Sequence, residues 1–284
     1  MSARAGLLHP RILIGGGIVA TLALMAVFAP QLAPHDPNAQ ELMYTLLPPA
    51  WAPGGNLAHP LGTDSLGQDV LSRLIWGTRT ALYVAVLAAG GAMLLGTTLA
   101  LLAGYFGGWA DWLVARAVDT WMSFPPVILA LILLVGFGAG LNNVVFAIII
   151  VDWTRFARVI RAEVIVVRRR DYIAAARLSG FSHMRTLVSE VLPATMPLIV
   201  TLLSLEMGIA VIVEATLSFV GLSVETDVPA WGVMIADARV YMNQSPWGVM
   251  VPTLAIFVTV LAFNLLGDGL RRALDPRLRV RGAA

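Results

Sequence analysis

The sequence predicts an all-α integral membrane protein with six transmembrane helices. Three observations carry that reading. Of 284 residues, 58% are hydrophobic and only 13% are charged, against roughly 25% charged in a soluble domain; mean hydropathy is +0.80. The apolar residues gather into runs long enough to cross a hydrocarbon core about 30 Å thick, where the backbone must satisfy its hydrogen bonds internally. The basic residues are segregated: with six crossings and a cytoplasmic start, every arginine except Arg73, Arg79 and Arg239 falls inside. That asymmetry follows the positive-inside tendency and leaves both termini cytoplasmic.

In chain order, residues 1–11 form a cytoplasmic tail containing Arg4 and Arg11. Residues 12–33 are the first transmembrane helix, retained because no small-residue cleavage site follows it convincingly. Residues 34–78 are an external segment rich in proline, glycine and asparagine. Within it Gly62-Thr63-Asp64 reads as a turn, and Asp64 or Ser65 as the cap of an amphipathic helix. Val70, Leu71, Leu74 and Ile75 supply that helix with an apolar face.

Residues 79–271 hold five further crossings and a cytoplasmic loop, 163–193. The second crossing, Leu82–Tyr105, carries Gly90, Gly91, Gly96 and Gly104, which permit close helix approach. GYFGGWADWLVAR, residues 104–116, reads as a short turn with interfacial tryptophans. In the third crossing, Val118–Phe137, Pro125 and Pro126 remove two amide donors, so the helix bends or opens there. Asn142 and Asn143 read as a tight external turn. Val144–Val159 is the fourth crossing, which Arg155, Arg158 and Arg161 extend into the cytoplasm. Leu198–Val220 and Val249–Leu266 are the fifth and sixth, separated by an external stretch from Gly221 to Trp247. Residues 272–284 close the chain as a cytoplasmic tail.

The longest charged interruption, Arg168–Pro193, reads as two short helices around a glycine. Ile173–Ser179 is alanine-rich and helix-prone, Gly180 suits the left-handed residue that ends such a helix, and Ser182 can cap the next. Met184, Leu187, Val188 and Val191 recur at i, i+3, i+4 and i+7 as one apolar stripe. Pro193 marks the start of the following apolar segment. Periodicity alone leaves open an amphipathic loop lying on the lipid surface.

Ala175-Ala176, Gly180 after three intervening residues, and Leu192-Pro193 after a further gap resemble the EAA loop of ABC-importer permeases. Ala174 stands where many members of that family carry the glutamate that names the motif. HPLGTDSLGQDVLSRLIWGTRTAL, residues 59–82, resembles the segment before the second helix in the dipeptide and oligopeptide branch. EATLSFVGL, residues 214–222, resembles EASLSFLGL of peptide permeases. The resemblance is to C-type permeases of the dipeptide/oligopeptide/nickel family, and it implies the type I ABC importer permease fold, six transmembrane helices with a cytoplasmic coupling helix. It further implies that Asp171, Ala174, Ala175, Ala176, Arg177, Gly180, Met184, Leu187, Leu192 and Pro193 couple to an ATPase. The implied partners are a homologous B-type permease, two ABC ATPases carrying the ATP and Mg, and an extracytoplasmic substrate-binding protein. This chain would bind no cofactor, meet no nucleic acid, and sit among lipids of a bacterial inner membrane.

Intramembrane charges are costly and mark bundle interiors or wet cavities. Asp152, Glu206 and Glu214 are therefore candidates for a translocation path or a subunit interface. Asp152 lies three residues from Arg155, which makes a local ion pair sufficient for it; Glu206 and Glu214, eight residues apart, fall on nearly one helix face. Catalysis finds no support. The chain has no cysteine, and its 19 basic residues are all arginine, which removes a Walker A lysine and a Schiff base. His9, His35, His59 and His183 are not spaced in sequence as a metal site. A peptide importer is the reading; permeases for a nickel complex or glutathione, and a proton-coupled transporter using Glu206 or Glu214, stay open.

Overall fold

The computed structural model describes residues 10–223 and 227–274, so the outer parts of both tails lie outside the described residues. Within them the architecture is helical, apart from an isolated bridge between Thr63 and Asp69. The first helix, α1 (Pro10–Val27), continues after Phe28 into a single turn, α2 (Ala29–Leu32). The segment that follows, up to Asp69, holds one 3-10 turn, Leu42–Tyr44.

The amphipathic helix expected before the second crossing is not separate from it. Both form one 37-residue helix, α3 (Val70–Phe106). Its N-cap is Asp69, whose carboxylate accepts from the Ser72 amide at 2.7 Å. Asp64 is instead a loop organiser that accepts from the Leu66 and Gln68 amides and pairs with Arg73. A cap at Asp69 leaves no break before Leu82, because Val70 to Ala81 contains neither proline nor a left-handed glycine.

The stretch expected as a tryptophan-bearing turn is helical as well. Gly107 and Gly108, both at positive φ, reverse the chain, and α4 (Gly108–Trp121) runs to the Phe124-Pro125-Pro126 break. There the chain turns by 88° into α5 (Pro126–Phe137). Two consecutive prolines remove the donors that would carry the helix through, so the expected bend is found. The next reversal lies at Gly138–Gly140, one step before Asn142 and Asn143. Both asparagines belong to the first turn of α6 (Leu141–Val167), where the Asn143 amide donates to the Phe137 and Gly138 carbonyls at 3.1 and 3.2 Å.

The loop after α6 contains α7 (Asp171–Leu178) and a single turn α8 (His183–Thr186). A π-helical ring, Leu187–Val191, joins α8 to α9 (Leu192–Val220), so the helical path is unbroken from His183 to Val220. A short helix, α10 (Trp231–Ala238), precedes α11 (Trp247–Leu274).

Helices α3 and α6 pack along most of their lengths, and α9 and α11 cover them with α1 on the outside. The close approach depends on Gly96: a Cβ there would meet the Trp153 carbonyl oxygen and the Phe156 side chain. Gly91 and Gly104 likewise face α6 side chains, while Gly90 opens onto free space. Among the described residues four helical paths are long and apolar enough to cross a membrane, namely α1, α3, α8–α9 and α11; the bent α4–α5 pair makes a fifth if counted as one span. Six apolar crossings are therefore not what the structure holds. The remaining helix, α6, spans about 40 Å at 1.5 Å per residue, but Asp152, Arg155 and Arg158 interrupt its apolar run.

Candidate functional site

The loop between α6 and α9 is built as a tight turn on the end of a long helix. Helix α7 ends in a Schellman motif: Gly180 sits at φ +88°, its amide bonds the Arg177 carbonyl at 3.0 Å, and the Phe181 amide bonds Ala176 at 3.2 Å. A glycine has no Cβ to clash in that left-handed conformation. Ser182 then caps α8 by accepting from the Arg185 amide at 3.2 Å. Both local expectations hold.

Beneath the turn, Ile173, Leu187 and Val191 are buried with Tyr105, Ile160, Val164 and Val167 in one apolar cluster. Polar contacts fix the other side. Arg168 donates to the Tyr105 carbonyl at 3.0 Å, and Arg177 reaches His183 Nε2 at 2.8 Å. Since a guanidinium can only donate, Nε2 is the acceptor. Nδ1 then carries the proton and donates to the Tyr105 hydroxyl oxygen at 3.3 Å. Arg185 stacks over Phe181, 4.0 Å from the ring centroid. These contacts tie the loop to the C-terminal end of α3. No local pattern announced the Tyr105–His183–Arg177 chain, because its first member is 78 residues away.

The expected apolar stripe is divided. Leu187 and Val191 are 4% and 0% exposed, whereas Met184 and Val188 are 56% and 57% exposed. The two pairs are opposite edges of the one stripe, one edge turned to the core and the other outward; a π ring, closed by the Leu192 amide on the Leu187 carbonyl, widens the turn they share. Pro193, which cannot donate to the carbonyl four residues before it, follows immediately. Leu187 therefore belongs to the chain's own core and offers no docking surface, and Leu192 is half-buried against the same cluster. What faces outward is Asp171, Ala174, Ala175, Gly180, Met184 and Pro193, with Ala176 and Arg177 half-buried. The sequence reading passed over Leu178, which is 90% exposed at the tip, and Tyr172, at 41%. An apolar residue two before the C′ glycine was the available signal.

The three intramembrane carboxylates do not share an open face. Glu206 is buried and bound to Arg155 at 3.2 Å. The same guanidinium stands 3.8 Å from Asp152, so the anticipated local pair exists but is the weaker half of a bridge between α6 and α9. Glu214, 1% exposed, accepts from Ser218 at 2.5 Å and Ser223 at 3.5 Å. Two more arginines of α6 clamp α4: Arg161 is bidentate to Asp111 at 2.5 and 2.7 Å, and Arg158 meets Asp119 at 3.1 Å. The charges that interrupt α6 are thus compensated. The histidines also depart from expectation, since His35 and His59 converge with Asp69.

The loop, its fused helix and the glycine turn lie within residues 96–280, which match the family described as the binding-protein-dependent transport system inner membrane component. The chain belongs to this permease family. Residues 8–49 match the N-terminal TM domain of oligopeptide transport permease C. The permease is 40% identical over 273 residues to the glutathione transport system permease protein of Pectobacterium atrosepticum, covering 96% of this chain and 89% of that one. It is 36% identical over 267 residues to the dipeptide transport system permease protein of Haemophilus influenzae, with 94% and 90% covered. It is 40% identical over 261 residues to the nickel transport system permease protein of Escherichia coli K12, with 92% of each chain covered. The permease is accordingly a multi-pass inner-membrane component of an ABC importer in the peptide, nickel and glutathione group. It is not itself catalytic and binds no cofactor for transport; ATP is handled by partner ATPases, and a binding protein is the second kind of partner.

Proposed function

We propose that this permease imports di- or oligopeptides, with the α7–Gly180–α8 turn acting as the handle through which an ATPase drives alternating access. The observation that carries this reading is mechanical. The turn is pinned on one side by buried Ile173 and Leu187, yet it presents Leu178 and Met184 outward, and it runs without a break into the membrane helix α9. A push on Leu178 is transmitted along α9 and, through Glu206–Arg155, to α6.

The full arrangement follows from that role. Residues 12–33 and the core 79–271 supply six crossings, with α4–α5 and the charge-compensated α6 among them. The tails 1–11 and 272–284 and the loop 163–193 are cytoplasmic, and the segment 34–78 is external, where a binding protein delivers substrate. A homologous B-type permease completes the path, and two ATPases dock on the two loops. Glu206 and Glu214 act as helix fasteners within this subunit. Peptide is favoured as the substrate by the segments 59–82 and 214–222, two stretches that resemble peptide permeases.

The test pairs Leu178→Asp with Met184→Asp in the assembled importer. Both side chains are exposed, so the protein inserts and assembles with its permease partner, while ATPase association and peptide uptake fall at least tenfold. Normal uptake with both substitutions would overturn the reading. A substrate panel of dipeptides, oligopeptides, glutathione and a nickel chelate, offered with the cognate binding protein, decides among the cargoes.

A further inference from the structure

Three segments distant in the chain bring one donor each to a single point outside the coupling machinery. His35 follows α2, His59 lies in the middle of the external segment, and Asp69 caps α3; one donor atom from each lies within 4.8 Å of the other two. Nδ1 of His59 is 3.1 Å from Oδ1 of Asp69, and Nδ1 of His35 is 3.9 Å from Oδ2. The two imidazoles stack with centroids 4.7 Å apart and present the same ring edge to the carboxylate.

From this geometry we propose that His35, His59 and Asp69 bind one divalent transition-metal ion of the zinc, cobalt and nickel class, as a clasp for the external segment. Two imidazole nitrogens and a carboxylate are a donor set that such ions prefer, with a fourth position left to water. Donors about 2.1 Å from a tetrahedral ion lie about 3.4 Å apart; each imidazole Nδ1 stands near that separation from one oxygen of the Asp69 carboxylate, His59 at 3.1 Å from Oδ1 and His35 at 3.9 Å from Oδ2. Nδ1 of His35 is buried and has no hydrogen-bond partner among the described residues. A buried nitrogen without a partner is uncommon and calls for a ligand.

The supporting contacts that orient metal ligands are present as well. Oδ2 of Asp69 accepts from the amide and the hydroxyl of Ser72, both at 2.7 Å. The Ser72 hydroxyl in turn accepts from the His35 amide at 3.0 Å. His59 and Asp69 are 3% and 2% exposed, which holds their rotamers. His35 is the open side: its side chain is 31% exposed and lines a cavity of about 750 Å³ beside Trp76, Tyr83 and Asp227, which gives an ion its access path. On binding, His59 takes the tautomer protonated on Nε2, which frees Nδ1 for the ion and replaces its hydrogen bond to Asp69. The ion would then join the end of the α1–α2 connection to the start of α3. This site stands apart from the α7–α8 turn, and its existence does not depend on what the importer carries.

The experiment uses the full-length chain in lipid nanodiscs with an affinity tag free of histidine, stripped with chelator and titrated with Zn²⁺ by calorimetry and with Co²⁺ by visible absorption. One ion per chain, a tetrahedral Co²⁺ spectrum, and at least a tenfold loss of affinity in His35→Ala support the proposal. His35→Ala is the decisive variant because that side chain is partly exposed and makes no side-chain hydrogen bond; His59→Gln, which keeps a polar group beside Asp69, is the second. Unchanged Zn²⁺ affinity in a folded His35→Ala protein, or no stoichiometric binding at micromolar metal, would overturn it and leave the trio as a stacked His–His pair with a His59–Asp69 hydrogen bond.

Discussion

Arg155 shows how one residue changes meaning between sequence and structure. In sequence it sits three positions from Asp152, and an i,i+3 pair explains both. In space it holds Glu206 of α9 at 3.2 Å and Asp152 at 3.8 Å, with both carboxylates about 5% exposed at their side chains. Removing the cation strands two buried carboxylates, and stranding a buried charge costs on the order of 3 kcal/mol. Arg155→Ala is therefore expected to lower the unfolding midpoint in detergent, while Arg155→Met combined with Glu206→Gln recovers much of the loss. If Arg155→Ala melts like the parent, the bridge contributes nothing. Gly180 makes the complementary point. A Cβ there would meet nothing within 4 Å, so only the backbone objects, and Gly180→Val costs about 1–2 kcal/mol through its φ of +88°. Faster amide exchange at Gly180 and Phe181, whose amides close the motif, is the expected signature.

At the scale of elements, the face that packs on α3 and α6 decides which apolar residues of the loop are core and which stay exposed. Leu187 is 4% exposed and Leu178 is 90% exposed, though both are leucines on one short helical hairpin. Leu187→Asp puts a carboxylate into the cluster of Ile160, Val164 and Ile173; it is expected to destabilise the protein by several kcal/mol and to lower membrane expression. Leu178→Asp is expected to leave the melting behaviour unchanged and to weaken ATPase association at least tenfold. Equal loss of folding in both, measured by thermal melting of the purified proteins, would contradict the division of the stripe. The same logic applies to α4 and α6. Arg161 and Asp111 are about one quarter exposed and bidentate, so Asp111→Asn is expected to loosen α4 by about 1 kcal/mol or less, a change best read by hydrogen exchange along α4.

For the whole molecule, orientation is the property most directly open to test. The chain has no cysteine, so single cysteines report without a background. A cysteine at Leu178 is expected to react with an impermeant maleimide only in inside-out vesicles, and one at Asn56 only in intact spheroplasts. The reverse pattern would place the handle away from any ATPase and end the importer reading. Six crossings are tested by the same labelling at Gly138, which the reading places external, between α5 and α6.

The local signals were legible because they act over a few residues. Gly180 and Ser182 declared the turn, and Pro125-Pro126 declared the 88° break, since backbone sterics and missing donors need no distant partner. Composition and the arginine asymmetry bounded the class of protein, and the motifs from His59 to Leu82 and from Ala175 to Pro193 pointed to the family. The sequence misled where a residue's role depends on what packs beside it. The 104–116 stretch, read as a turn, is helical on both sides of Gly107, with Arg161 of α6 paired to its Asp111, and the 184–191 stripe is divided between a packed edge and an exposed one. Asp152, Glu206 and Glu214 looked like one kind of residue and are two: carboxylates bridged by Arg155, and a carboxylate capped by serines. His35, His59 and Asp69 are 34 residues apart end to end, and only the folded external segment brings their donors together. Short-range backbone chemistry was settled by the sequence, and long-range pairing of charges and ligands by the tertiary structure, because burial and distance between remote side chains exist only once the chain is packed.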